Sequence, residues 1–113
     1  MKRRKEGVPP LAADPEMRDI ARAHSRDMFA RSYFSHDSPD GRSLAERTQA
    51  ANVRYLTAGE NIALAQTLRI AHTGLMNSPG HKANILHKGF HRVGIGIVDG
   101  GRHGIMVTQD FRD

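Results

Sequence analysis

The spacing of apolar residues in the first third of the chain predicts an amphipathic helix that begins after Asp14. Asp14 is a favourable N-cap, Pro15 suits the first helical position, and Glu16 lies near the positive end of the helix dipole. The residues that then recur at helical spacing on one face are Met17, Ile20, Ala21, His24 and Met28. The pattern predicts a helix that ends near Arg31 and buries this face.

Three further helical segments follow. Ser43 and Glu46 have the spacing of a capping box, which predicts a second helix over about 43–51. A third helix is predicted over 67–77, because a proline two residues later ends it. A short helical turn is predicted over 81–86. The positions of the third helix that we expect to face inward are Leu68, Ala71, His72 and Leu75.

The last quarter of the chain changes to a period of two, which is typical of strands. Apolar side chains alternate along 92–98, and a glycine turn at 100–101 separates them from a returning apolar segment at 105–111. These features predict a β-hairpin. Gly94 and Gly96 share one face of its first strand, which indicates that another element packs very close there.

A third strand is predicted over 58–63. Because helices come first and a hairpin comes last, the order favours an α+β domain with an antiparallel sheet. The 113 residues have room for one domain and not two. The absence of cysteine excludes a disulfide scaffold, a cysteine-ligated zinc finger and a cysteine nucleophile. No stretch approaches the roughly 18 apolar residues that would span a membrane.

The formal net charge of +5 comes mostly from residues 2–5, which are all basic. The other thirteen basic residues exceed the twelve acidic ones by only one. A nucleic-acid-binding domain needs a basic stripe with interleaved aromatic residues. We therefore expect no nucleic-acid partner and interpret the basic tail as a solvated terminus. No apolar segment follows this tail, as one would in a secretory signal peptide.

Three polar residues occupy settings in which chemistry is common. His36 lies in a loop between two predicted helices, Glu60 interrupts an otherwise apolar strand, and His81 opens a helical turn. Two imidazoles and a carboxylate could bind one divalent metal such as zinc, or act as general acid and base. Their separations of 24 and 21 residues match no metal motif. Structural hydrogen bonding by each histidine, and a tie between strand and helix through Glu60, therefore stay open as alternatives.

Several short segments occur in an order that is more specific than any one of them. They are Pro-Pro-Leu at 9–11, Ala-Arg-Ala-His-Ser-Arg-Asp-Met at 21–28, Phe-Ser-His at 34–36, Ala-Gly-Glu-Asn-Ile-Ala at 58–63, Leu-Met-Asn-Ser-Pro-Gly-His at 75–81 and Val-Thr-Gln-Asp-Phe at 107–111. The set covers nearly the whole chain. It resembles the CAP superfamily of SCP-like domains (cysteine-rich secretory, antigen 5 and pathogenesis-related proteins) in its cysteine-free bacterial branch.

The resemblance implies one domain over 1–113 with a three-layer α-β-α sandwich, in which helices flank a central antiparallel sheet. It also implies a cleft lined by two histidines and two glutamates. Matched by position, His36 and His81 correspond to the histidines and Glu60 to the first glutamate. Ser78 falls at the position of the second glutamate, three residues after Leu75, which replaces a tryptophan. With one carboxylate, the set suits zinc better than calcium, with His36 and His81 as ligands and Glu60 in support.

The front of the chain departs from the family pattern. Family members begin with a full helix before Pro-Pro-Leu, whereas only eight residues precede it here. We therefore expect this chain to lack most of that helix. The loss would expose apolar surface, and we expect a monomer or a weak homodimer.

The resemblance implies a secreted or cell-envelope binding domain for a lipid, a small molecule or a divalent metal, with no established catalytic activity. Two alternatives stay open. One is a metal-assisted hydrolase or protease, in which His36 and His81 hold a metal-activated water and Glu60 acts as the base. The other is a purely structural envelope module. The sequence offers no convincing nucleophile, which favours a binding module over an enzyme.

Overall fold

The computed structural model describes Arg3 and residues 6–113. The predicted helices and strands are all present, and the third strand and the last helix are each two residues longer than predicted. The elements, in chain order, are β1 (Ala12–Ala13), α1 (Pro15–Ala30), α2 (Leu44–Ala50), β2 (Ala58–Ala65), α3 (Leu68–Asn77), α4 (Pro79–Leu86), β3 (Arg92–Asp99) and β4 (Ile105–Arg112).

The strands form a single sheet in the order β1-β3-β4-β2. Strand β4 pairs antiparallel with both β2 and β3, as the hairpin pattern predicts. Strand β1 is a two-residue parallel partner of β3. The sequence did not indicate β1, because two residues are too short to show a period of two.

Helices cover both faces of the sheet, so the three-layer α-β-α sandwich is confirmed. Helix α1 lies across β3 and β4, whereas α3 and α4 pack on the β2 side of the opposite face. The main apolar core lies under α3 and α4 and contains Leu75, Ile85, Phe90 and Phe111. No helix in the described part of the chain is long and apolar enough to cross a bilayer.

The glycines of β3 let α1 approach the sheet very closely. A Cβ atom at Gly94 would lie 1.9 Å from the backbone nitrogen of Arg18, and one at Gly96 would lie 2.1 Å from that of Arg22. The prediction of a close neighbour at these glycines is therefore correct. The buried face of β3 is the glycine face, and the side chain of Ile95 on the other face is 41% exposed.

Two inward positions predicted for α3 are wrong. Leu68 is 48% exposed and His72 is exposed, whereas Ala71 and Leu75 are buried. Helix α3 packs against β2, which is one of the two edge strands, so only a narrow stripe of the helix is covered.

The interpretation of the basic tail as a solvated terminus is wrong for Arg3, which is 4% exposed. Its guanidinium donates to the carbonyl oxygens of Ile85, His87 and Phe90 at 3.1–3.3 Å. Arginine near the end of a helix stabilises carbonyl groups that lack helical partners. The other residues of the tail, at positions 2, 4 and 5, lie outside the described residues. Much of the segment in which the family's first helix would lie is also outside the described residues.

We expect Gly96→Ala to lower the free energy of unfolding by about 3 kcal/mol or more, because the new methyl group would overlap backbone atoms of α1. Denaturant unfolding followed by circular dichroism measures the change. The matched control is Gly74→Ala in α3, where a Cβ meets nothing within 4 Å. That variant should be more stable by about 0.5–1 kcal/mol. Similar behaviour of the two variants would contradict the close approach.

Candidate functional site

Glu60 lies at the centre of a buried polar cluster on the α1 side of the sheet. Successive residues of a strand point to opposite faces, and Glu60 pairs in register with Asp110 of β4. The two carboxyl groups therefore project side by side beneath α1. Their side chains are 3% and 0% exposed.

Three hydrogen bonds hold the Glu60 carboxylate. The Nδ1 atom of His36 donates to Oε1 at 3.0 Å. Arg47 of α2 binds both oxygens, with Nη2 at 3.0 Å from Oε1 and Nη1 at 2.9 Å from Oε2. The Nη2 atom of Arg47 also donates to the carbonyl oxygen of His36 at 2.9 Å. Glu60 thus ties β2 to α2 and to the loop that carries His36.

Arg47 is a site residue that the sequence reasoning missed. It lies on α2 one turn after Leu44 and next to Thr48, which is buried. A charged residue on the inward stripe of a short helix is a signal of a buried partner, because an unpaired charge is costly to bury. The partner is a residue of β2, and nothing in the local sequence identifies it.

Asp110 is the second residue that the sequence reasoning missed. Neither carboxyl oxygen has a hydrogen-bond donor among the described residues, and Nη1 of Arg47 lies 3.9 Å from Oδ2. Burial, followed by the contact with Glu60, raises the pKa of Asp110 well above its usual range. A protonated Asp110 is itself a donor, and the neighbouring acceptor is the Glu60 carboxylate.

The pKa of Glu60 moves in the other direction. Burial alone would raise it, but hydrogen bonds with His36, Asp110 and Arg47 outweigh burial and lower the pKa of Glu60 to about 2. The hydrogen bond to Glu60 raises the pKa of His36. Glu60 is therefore the anion of the pair and Asp110 the neutral acid, as expected for two carboxyl groups buried side by side.

His24 completes the cluster from α1. Its Nε2 atom donates to the carbonyl oxygen of Ser35 at 2.8 Å and lies 3.9 Å from Oε1 of Glu60. Burial, followed by the charge of Arg47, lowers the pKa of His24. The prediction that His24 is a core histidine is correct, since it is 2% exposed. As a neutral donor it fixes the start of the loop that leads to His36.

His81 and Ser78 lie on the side of α3 and α4. The carbonyl oxygen of His81 accepts a hydrogen bond from Asn61, which points to the opposite face of the sheet from Glu60. Within the described residues, the side chains of His81 and Ser78 form no hydrogen bond with His36 or Glu60. Of the four residues that the resemblance selects, the structure joins His36 and Glu60 directly.

The side chains do not fit a divalent metal as they are arranged. Across Arg3 and 6–113, no group of three or more His, Cys, Asp or Glu residues is placed to hold an ion. Both oxygens of Glu60 are engaged by Arg47, and Nδ1 of His36 points at Glu60. The expected zinc ligation by His36 and His81, supported by Glu60, stays a prediction without geometric support.

A cavity of about 580 Å³ opens beside this cluster, between α1 and α2. Its apolar lining residues are Ile20, Ala23, Ala50, Ala51 and Val53. Its polar lining residues are Glu16, Asp19, His24, Asp27, Arg31, Ser38, Arg42 and Arg47. His24 and Arg47 belong both to the cluster and to the cavity wall, so a ligand in the cavity would contact the cluster directly.

We expect the stability of the wild-type protein to fall relative to Asp110→Asn as the pH rises above about 4. A carboxyl group with a raised pKa in the folded state binds more protons when folded, so folding weakens as the unfolded chain ionises. The difference should grow by at most about 1.4 kcal/mol per pH unit, until the folded pKa is reached. Urea unfolding across pH 4–9 measures it, with exposed Asp37→Asn as the control. If Asp110→Asn is less stable by the same amount at every pH, Asp110 is instead a charged partner of Arg47.

Comparison with known proteins agrees with this architecture. The sequence profile of the Cysteine-rich secretory protein family (CAP) matches residues 2–111. The chain is 41% identical over 110 residues to the uncharacterized protein YkwD of Bacillus subtilis (strain 168). That alignment covers 96% of this chain and 42% of YkwD, so the chain spans less than half of this relative.

Two solved structures share the fold. An extracellular protein containing a SCP domain from Bacillus anthracis str. Ames matches with a TM-score of 0.89 and 38% identity, over 98% of this chain and 36% of that one. An outer surface protein from Borrelia burgdorferi matches with a TM-score of 0.91 and 16% identity, over 99% of this chain and 84% of that one. Because the family profile covers almost the entire sequence, the chain belongs to the Cysteine-rich secretory protein (CAP) family.

Proposed function

We propose that this domain binds a small amphiphilic anion in the cleft between α1 and α2, outside the cytoplasm. The observation that carries the proposal is the cavity of about 580 Å³ beside the Glu60 cluster. Its size lies within the range of small-molecule sites in proteins. A lining that combines apolar and charged residues suits a ligand that has an apolar body and one charged end.

The pairing of the charged lining residues supports an anionic ligand. Glu16 and Asp19 pair with Arg112 and Arg18, which are not among the lining residues. Arg31 is held by Asp27 at 2.7 Å, and Arg47 is held by Glu60. Arg42 lines the cavity, and its guanidinium forms no hydrogen bond or ion pair with any described residue. An unpaired arginine favours a carboxylate or phosphate group, which its planar fork can bind with two hydrogen bonds.

The location outside the cytoplasm is supported by two proteins that share the fold. The Bacillus anthracis protein is described as extracellular, and the Borrelia burgdorferi protein as an outer surface protein. A site open to the exterior would meet amphiphiles from the surroundings or from the envelope.

The cluster itself supports a structural role beside the binding role. Glu60, Arg47 and His24 anchor the loop between α1 and α2, and this loop forms one wall of the cavity. A metal-assisted hydrolase would need the imidazoles of His36 and His81 to converge on one water. The contacts of the described residues do not support that arrangement, so we do not propose a hydrolase.

Dodecanoate, added below its aggregation concentration to ¹⁵N-labelled protein, should shift the amide signals of Ile20, Ala23 and Val53 in a saturable manner. Ala50→Trp should weaken this binding at least about tenfold, because the indole would fill the cavity. Arg42→Gln should weaken dodecanoate binding while leaving the uncharged analogue dodecanol unaffected. The matched control is Ala83→Trp, on an exposed position of α4 outside the cavity.

Three results would count against this proposal. They are no saturable shift, shifts that map to another surface, and equal losses in the Ala50→Trp and Ala83→Trp variants.

The structural role predicts that Glu60→Ala lowers the free energy of unfolding by about 3–5 kcal/mol, because it removes the carboxylate that binds the buried guanidinium of Arg47 through both oxygens. Urea unfolding at neutral pH measures the loss. The control is Asp19→Ala, which removes an exposed ion pair with Arg18 and should cost about 1 kcal/mol or less. A loss at Glu60 as small as that of the control would reject the anchoring role.

A further inference from the structure

We infer that Arg47 takes the place of a cation at the Glu60 carboxylate, so that this cleft excludes a divalent metal instead of holding one. The inference concerns the polar cluster and is independent of the ligand proposed for the cavity. It accounts for the finding that His36, Glu60 and His81 are not grouped around one point in the described part of the chain.

The contacts of Glu60 occupy three of the roughly four lone-pair positions of its carboxylate. A metal ion that binds a carboxylate is bound by lone pairs of its oxygens, in the plane of the group. At Glu60 the Arg47 guanidinium spans both oxygens at 2.9 and 3.0 Å, and His36 Nδ1 uses Oε1 as well. The planar fork of arginine matches the geometry of a carboxylate in this bidentate arrangement.

The burial of the pair makes the exclusion strong. The side chains of Arg47 and Glu60 are 11% and 3% exposed, so little water screens the charge of the guanidinium. A divalent ion next to Glu60 would meet that fixed positive charge within a few ångströms, in a medium of low effective dielectric. Displacing Arg47 would in turn leave a guanidinium buried without its partner.

Asp110 supports the same inference through an independent observation. It is a fully buried carboxyl group whose two oxygens have no hydrogen-bond donor among the described residues. Its closest cation is Arg47, with Nη1 3.9 Å from Oδ2. Two carboxyl groups thus flank the Arg47 guanidinium, and the imidazole of His36 contacts the same Glu60 carboxylate. Carboxylate and imidazole groups are donors that suit a divalent ion. Without the guanidinium, these groups would be free to move together around one.

The experiment is isothermal titration of metal-stripped protein with zinc chloride at pH 7.5. We expect the wild type and Glu60→Gln to give the same heats, because Glu60 is already occupied. Arg47→Gln should bind one zinc ion at least tenfold more tightly than the wild type. The double variant Arg47→Gln with Glu60→Gln should lose this gain. The matched control is Arg69→Gln, at an exposed position of α3. It removes one positive charge away from the cluster and should behave like the wild type.

Two outcomes would overturn the inference. One is stoichiometric zinc binding by the wild type that Glu60→Gln abolishes. The other is a folded Arg47→Gln variant that binds zinc no more tightly than the wild type. If circular dichroism shows that Arg47→Gln does not fold, Arg47→Met replaces it. Methionine keeps an unbranched side chain without the charge, and Glu60, Asp110 and His36 all stay in place, so the same two criteria apply. Failure of dodecanoate binding would leave these results unaffected.

Discussion

The position of α1 against β3 is the constraint on which the rest of the molecule depends. Two glycines, Gly94 and Gly96, let the backbone of α1 reach the backbone of the sheet, where any side chain would collide. At this distance Ser25 of α1 donates to the carbonyl oxygen of Gly96, and its hydroxyl lies 2.7 Å from that of Thr108. The same contact covers the polar face of β4 and excludes water from it. The dry environment around Asp110 is therefore a consequence of the helix position.

A dry environment then dictates the electrostatics of the site. A carboxylate as buried as Glu60 needs a counter-charge or hydrogen-bond donors, and Arg47 and His36 supply them. With one guanidinium for two acids, the second acid is more stable as a neutral group, which accounts for the raised pKa of Asp110. The cluster is thus internally neutralised. The family resemblance implies a cleft lined by histidine and glutamate. In this chain, the residue that binds both oxygens of the Glu60 carboxylate is an arginine, Arg47.

The arrangement separates two proposed roles that the sequence reasoning placed in one cleft. The Glu60 cluster holds a loop and a helix in position, and the space beside it is the cavity between α1 and α2. His24 and Arg47 belong to both, so the cluster shapes one wall of the proposed ligand site. A binding role and a structural role for the same residues are compatible, because a rigid wall lowers the ordering cost of binding.

Local signals in the sequence were sufficient to predict the helices and longer strands and most of their bounds. Asp14 as N-cap and Ser43 with Glu46 as a capping box mark helix starts, and alternation marks the hairpin. The sequence also selected His36 and Glu60 as site residues. Their partners could be found only in the folded chain, since the pairing of Glu60 with Arg47 and Asp110 depends on strand register and on the packing of α2. Ala71 is likewise buried and His72 exposed on the same helix. The local pattern could not distinguish them, because it does not show how much of the helix the neighbouring elements cover.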